Sequence, residues 1–239
     1  MPITGNRRVC GGGTGTRGIK FIPDAYTVLW FPGHDEPQSA TIRDRSGKQN
    51  NGTISGATWT RLSSGLWGLS FDNIDDRVSF GTPASLNVGA QSWTLSFWMK
   101  RAATTDNDQI WKSTSANDTI YIWLLDSGAI RFNVKYTAEE LGGGAFDSTT
   151  AGLDDDIWHF ITCTWDTSDK KGRIYINGVL NATSTANVNI GTLQDWTSNY
   201  MGCDNVPGNF YGGLIGLWQD QNIARTAAND LNFYQQTRH

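Results

Sequence analysis

The segment Asp156-Ile-Trp-His-Phe-Ile-Thr-Cys-Thr-Trp-Asp166 constrains the fold more than any other part of the chain. Its side chains alternate: His159, Ile161, Cys163 and Trp165 point one way, Phe160, Thr162 and Thr164 the other. A period of two belongs to a β-strand, whose successive Cβ atoms leave opposite faces. Soon after, Arg173-Ile-Tyr-Ile runs into Asn177-Gly178. Both turn residues tolerate the positive φ that a two-residue type I′ hairpin demands. Consecutive antiparallel strands are therefore expected here.

The pattern recurs. Trp93-Thr-Leu-Ser-Phe-Trp-Met-Lys100 sets Trp93, Leu95, Phe97 and Met99 on one face, and Asp126-Ser-Gly128 joins strands at 119–125 and 129–136 in a second hairpin. Further strands are predicted at 28–31, 66–71, 77–80, 157–165, 173–177, near 187–190, 199–202 and 211–219. One helix is expected over 225–236, with Leu231 and Tyr234 as its apolar positions. About eleven short strands at such spacing predict two packed antiparallel sheets. The length of 239 residues and a hydrophobic content of 38% suit one such domain. It is expected over residues 28–239, preceded by an extended arm over 1–27.

Four segments carry a family resemblance. They are Asp44-Arg-Ser-Gly47 with Asn51-Gly-Thr53; Phe71-Asp-Asn-Ile-Asp-Asp-Arg-Val78; the strands of 156–178; and Phe210-Tyr-Gly-Gly-Leu-Ile-Gly-Leu-Trp218 with Asn222-Ile-Ala-Arg225. In this order they resemble the laminin G-like jelly rolls of the concanavalin A-like lectin/glucanase superfamily. Two departures stand out: Asn73 replaces a usual glycine, and Trp218-Gln-Asp220 stands where a tyrosine is common. The resemblance implies an all-β, two-sheet antiparallel sandwich with one short C-terminal helix. It also implies a protein that binds or scaffolds.

Catalysis is not expected. The superfamily's retaining glucanases place two carboxylates about 5–5.5 Å apart, which Glu-x-Asp-x-Glu on one strand face would supply. The glutamates here are Glu36, Glu139 and Glu140, and the last two are adjacent, so a strand would point them to opposite faces. Asp154-Asp-Asp156 reads as a turn, and His159 as a structural strand residue.

Binding chemistry offers more. Many relatives hold a Ca²⁺ ion, and the resemblance makes Asp44, Asp75 and Asp76 candidate ligands, since Ca²⁺ collects carboxylate and carbonyl oxygens. The alternative is that these carboxylates only fold their own loops. Eleven tryptophans suggest aromatic platforms for sugar rings. Trp98 and Trp123 alternate against apolar faces and are candidates for an open sheet surface; Trp111, Trp196 and Tyr200 lie among polar residues and complete the glycan-binding set. Trp93 and Trp165 belong to the core.

A net charge of −4 argues against a general nucleic-acid partner. The arm is the exception: Arg7, Arg8, Arg17 and Lys20 surround Cys10-Gly-Gly-Gly-Thr-Gly-Thr-Arg-Gly18, with no acid before Asp24. A segment like this has no core of its own and gains order where another surface holds it. It is expected to be a solvated arm, to fold back on the domain, or to lock onto neighbouring subunits or capsid proteins. Cys10, Cys163 and Cys203 form no disulfide framework. No apolar run approaches the roughly 20 residues of a membrane span, and residues 1–8 do not read as a secretory signal. Two functions compete: a structural protein on the surface of a virus or phage particle, and an extracellular carbohydrate-binding adhesion module.

Overall fold

The computed structural model describes residues 23–33, 39–103, 105–136, 139–140, 145–185, 195–204 and 208–237. The arm residues Arg7, Arg8, Arg17 and Lys20, and the strand expected near 187–190, lie outside the described residues.

In chain order the strands begin with β1 (Thr27–Phe31), β2 (Thr41–Ile42), β3 (Gly52–Ser55), β4 (Thr58–Arg61), β5 (Trp67–Asp72) and β6 (Arg77–Ser79). Next come β7 (Trp93–Lys100), β8 (Asp108–Thr114), β9 (Thr119–Leu124), β10 (Ile130–Tyr136), β11 (Glu139–Glu140) and β12 (Phe146–Asp147). The chain then forms β13 (His159–Asp166), β14 (Lys171–Ile176), β15 (Val179–Thr183), β16 (Ser198–Met201), β17 (Gly212–Gln221) and helix α1 (Ala227–Thr237).

These strands build two antiparallel sheets. The first runs β15-β14-β13-β7-β17-β5-β4, with β1 also paired to β17. The second runs β11-β10-β9-β8-β16-β6-β3-β2, with β12 also paired to β10. Strand β7 occupies residues 93–100 as its alternation predicts, and Trp93, Leu95, Phe97 and Met99 face the other sheet. Asn177 and Gly178 adopt φ of 51° and 78°, the geometry that turns β14 into β15. The strands the sequence did not announce are β2, β3, β4, β8 and β15, along with the two-residue β11 and β12. Most are short, polar edge pieces whose strand state comes from pairing. Strand β8 hides its period behind a bulge between Gln109 and Trp111.

A run of aromatic rings ties the sheets together. Phe97 stacks on Trp218 at 4.8 Å, Trp218 meets Trp111 at 5.3 Å, Trp111 meets Phe80 at 5.4 Å, and Phe80 meets Phe31 at 5.7 Å. Such pairs add about 0.5–1.5 kcal/mol each beyond the area they bury.

The outer faces of the two sheets differ. Helix α1 lies on that of the first. Thr226 caps it, its hydroxyl accepting from the Asn229 N–H at 3.3 Å. Its Phe233 joins Trp30, Phe160 and Leu217 in a second small apolar cluster. The buried positions of the helix are Asp230, Phe233 and Thr237, while Leu231 is 39% exposed. This corrects the expected apolar face through Leu231. No α-helix among the described residues covers the outer face of the second sheet. Among the described residues, no helix is long and apolar enough to cross a membrane.

Candidate functional site

Strands β8, β9, β10 and β16 bring one polar-aromatic surface together. Cross-strand register sets Asn133 opposite Tyr121, Tyr121 opposite Lys112, Lys112 opposite Tyr200, and Tyr200 opposite Ser79. The adjacent row pairs Arg131 with Trp123 and Trp123 with Gln109. The alternate residues Ile120, Ile122, Phe132 and Val134 fill the core, so these rows must face outward.

Over this face runs an open groove of about 330 Å³. Its floor holds Tyr121, Trp123 and Gln109, and its rim includes Lys112, Lys135, Asn117, Asp118 and Thr119. Tyr121 and Trp123 are half-buried, with ring centroids 5.8 Å apart and planes at 47°. The Trp123 Nε1 is buried without a partner, so the part of the indole that reaches the groove is carbon. The Gln109 amide folds into the bulge, its Nε2 donating to the Ile122 carbonyl at 3.0 Å while Oε1 stays unpartnered. Asn133, fully buried, leaves both amide atoms unpartnered. Charges near the groove are paired: Lys112 Nζ lies 2.6 Å from Asp204, and Arg131 grips Asp147 with two bonds of 2.7 and 2.9 Å. That grip raises the Arg131 pKa above its usual value.

The five aromatic candidates are scattered. Trp123 and Tyr200 stand on the open face. Trp111 does not: it is 1% exposed, wedged between Phe80 and Trp218, its Nε1 donating to Ser113 Oγ at 3.0 Å. Trp196 is 2% exposed, and its Nε1 donates to the Leu86 carbonyl at 3.1 Å. Neither ring is open to a sugar, which corrects both expectations; polar sequence neighbours did not reveal the direction of these rings. Trp98 sits across the sandwich beneath α1, packed on Phe160 and Tyr234, with Nε1 donating to Thr237 Oγ1 at 3.1 Å. With Trp158 and Leu217 it lines a separate cavity of about 80 Å³. The sequence reading missed Tyr121 and Gln109. The alternation Tyr121, Trp123 against Ile120, Ile122, Leu124 carries the signal for the tyrosine.

The carboxylate candidates also regroup. Asp75 and Asp76 gather with Asp72, ligand oxygens all within 4.8 Å of one another. Asp44 does not join them; its carboxylate accepts from the N–H groups of Trp30, Ser46 and Asn50 at 2.8–3.0 Å and so holds its own loop. In the cluster, Asp76 accepts from the Asp72 N–H at 2.8 Å, and Asp72 from the Ile74 N–H at 2.9 Å. Burial, helped by the charges of Asp72 and Asp75, raises the Asp76 pKa. Three oxygen donors suit a hard cation such as Ca²⁺, with carbonyls and water completing its six to eight ligands. The Nε2 of His159 lies 2.9 Å from Asp155. Cys163 and Cys203 are free, buried thiols, and burial raises both pKa values, to about 11 for Cys203.

Comparison with known proteins places this geometry. No curated protein matches the chain significantly. Among solved structures, the binding domain of Paraclostridial Mosquitocidal Protein 1 is similar at TM-score 0.71 and 15% identity, over 87% of this chain and 52% of that one. The binding domain of botulinum neurotoxin DC, solved with SialylT, gives 0.68 and 14%, over 90% and 52%. Domain 4 of AbnA, an extracellular GH43 arabinanase of Geobacillus stearothermophilus solved with arabinotriose, gives 0.66 and 16%, over 88% and 98%. The chain thus spans about half the length of the toxin binding domains and nearly all of the arabinanase domain. At these identities the likeness is one of fold. A family model described as the concanavalin A-like lectin/glucanases superfamily matches residues 71–229, well over half of the sequence, and the chain belongs to that superfamily.

Proposed function

We propose that this chain is a non-catalytic carbohydrate-binding domain, with its site in the groove on the outer face of the second sheet. The observation that carries the reading is the pair of half-buried rings, Tyr121 and Trp123, that floors this groove. The C–H faces of a sugar stack on such rings, and amides and hydroxyls at the rim take up its hydroxyl groups. The relatives support the same reading: one was solved with arabinotriose and another with SialylT. Ca²⁺ is proposed as a structural ligand of Asp72, Asp75 and Asp76, outside the groove. The virus-particle role, with homo-oligomer or capsid partners, draws its support from the arm bearing Arg7, Arg8, Arg17 and Lys20. The groove favours the carbohydrate reading. A broad glycan array followed by titration calorimetry tests it. Trp123→Ala is expected to weaken binding by about tenfold or more while leaving the fold intact. Unchanged affinity in that variant would remove the groove as the site.

A further inference from the structure

From the pairing of Lys112 with Asp204 and of Arg131 with Asp147 beside the groove's two rings, we infer that its ligand is a neutral oligosaccharide of at least two sugar units, not an acidic glycan. This inference rests on the carbohydrate-binding reading and narrows it. An acidic sugar carries a carboxylate or sulfate, whose contact with protein is strengthened most by a cation free to meet it. The cations at the groove already have carboxylate neighbours in two cases. The Lys112 ammonium lies 2.6 Å from Asp204, with both side chains largely buried. Arg131, beside Trp123 in register, turns the Nε–Nη2 edge of its guanidinium to Asp147. Lys135 and Asp118 have partners as well. An incoming anion would compete with the carboxylates of these pairs for the same cations, which weakens its gain.

What the groove offers without such exchange is neutral. Two ring faces supply apolar area, and Asn117 presents an exposed amide at the rim. Beneath them the buried Gln109 keeps its Oε1 without a partner. An unpartnered buried acceptor under a groove marks a place for a bridging water or a ligand hydroxyl. The two rings also set a minimum ligand size. Tyr121 and Trp123 lie two positions apart on one strand, 5.8 Å between centroids and tilted by 47°. One sugar ring covers one of these facets, so both facets are used only by successive units of a chain.

Titration calorimetry on the full chain tests this, with matched neutral and acidic oligosaccharides (uronate, sialylated and sulfated) of one to three units. Neutral di- and trisaccharides are expected to bind about tenfold or more tightly than their acidic counterparts, the factor one charge-assisted hydrogen bond would otherwise recover. Their affinity should change less than about twofold on going to ~0.5 M salt. Asp204→Asn frees the Lys112 ammonium and is expected to raise affinity for acidic ligands several-fold while leaving neutral ones unchanged. A wild-type preference for acidic glycans, a steep salt dependence, or monosaccharides binding as well as trisaccharides overturns the inference and leaves the carbohydrate reading standing. No binding by either series overturns both.

Discussion

Asn73 stands where the family's loop carries glycine, and its backbone sits at φ 67°. Only glycine, asparagine and aspartate adopt that region readily, so the departure from the motif keeps the conformation that the motif encodes. Asn73→Gly should leave the denaturant midpoint nearly unchanged, whereas Asn73→Val should cost about 1–2 kcal/mol; equal loss in both variants would show that the Asn73 side chain matters more than its φ. The tryptophans teach a different lesson. Trp111→Ala should cost about 3–5 kcal/mol in equilibrium unfolding, because it opens a cavity in the aromatic run between the sheets. A loss below about 1 kcal/mol would contradict that placement. In sequence Trp123 sits between Ile122 and Leu124 and Trp111 between Ile110 and Lys112, and neither context reveals that Trp111 is the buried ring. The bulge after Gln109 settles the difference, sending Trp111 inward and leaving Trp123 outward.

At the scale of elements, helix α1 does what no strand pattern announces: it roofs the outer face of the first sheet. Its place in the sequence was legible, but its buried face was not, because that face carries Asp230. This carboxylate is fully buried, with Thr162 and Arg225 as its polar neighbours. Burial outweighs the Thr162 hydrogen bond and the attraction of Arg225 and pushes its pKa up to about 6. A raised carboxyl pKa means that the folded state holds the proton more tightly than the unfolded chain does. The resulting stability is complete below the ordinary value of 3.8 and is lost as pH rises through about 6, an effect of about 3 kcal/mol. Asp230→Asn cannot ionise and escapes the loss. Its melting temperature relative to the wild type should therefore climb between about pH 4 and pH 7. A difference that stays flat with pH would show that Asp230 ionises without penalty.

For the whole molecule, the loop carboxylates give a global readout. A cation bound by Asp72, Asp75 and Asp76 in the folded state alone stabilises it by mass action, about 2.7 kcal/mol at a hundredfold excess over Kd. Added calcium should raise the melting temperature and EDTA should reverse the rise; a melt indifferent to both would leave these residues as loop scaffolding. The sequence by itself determined the sandwich, its hairpins and most core faces. Those follow from period-two alternation and from turn residues such as Asn177-Gly178, which act within a few positions along the chain. Only the tertiary structure decided which aromatic rings meet solvent and which carboxylates meet each other. Tyr121, Lys112 and Tyr200 become neighbours through strand register across some eighty positions of chain. Trp98 is partly covered by a helix more than a hundred residues downstream, to which its Nε1 donates at Thr237. Exposure depends on what covers a face, and a local pattern carries no information about its cover.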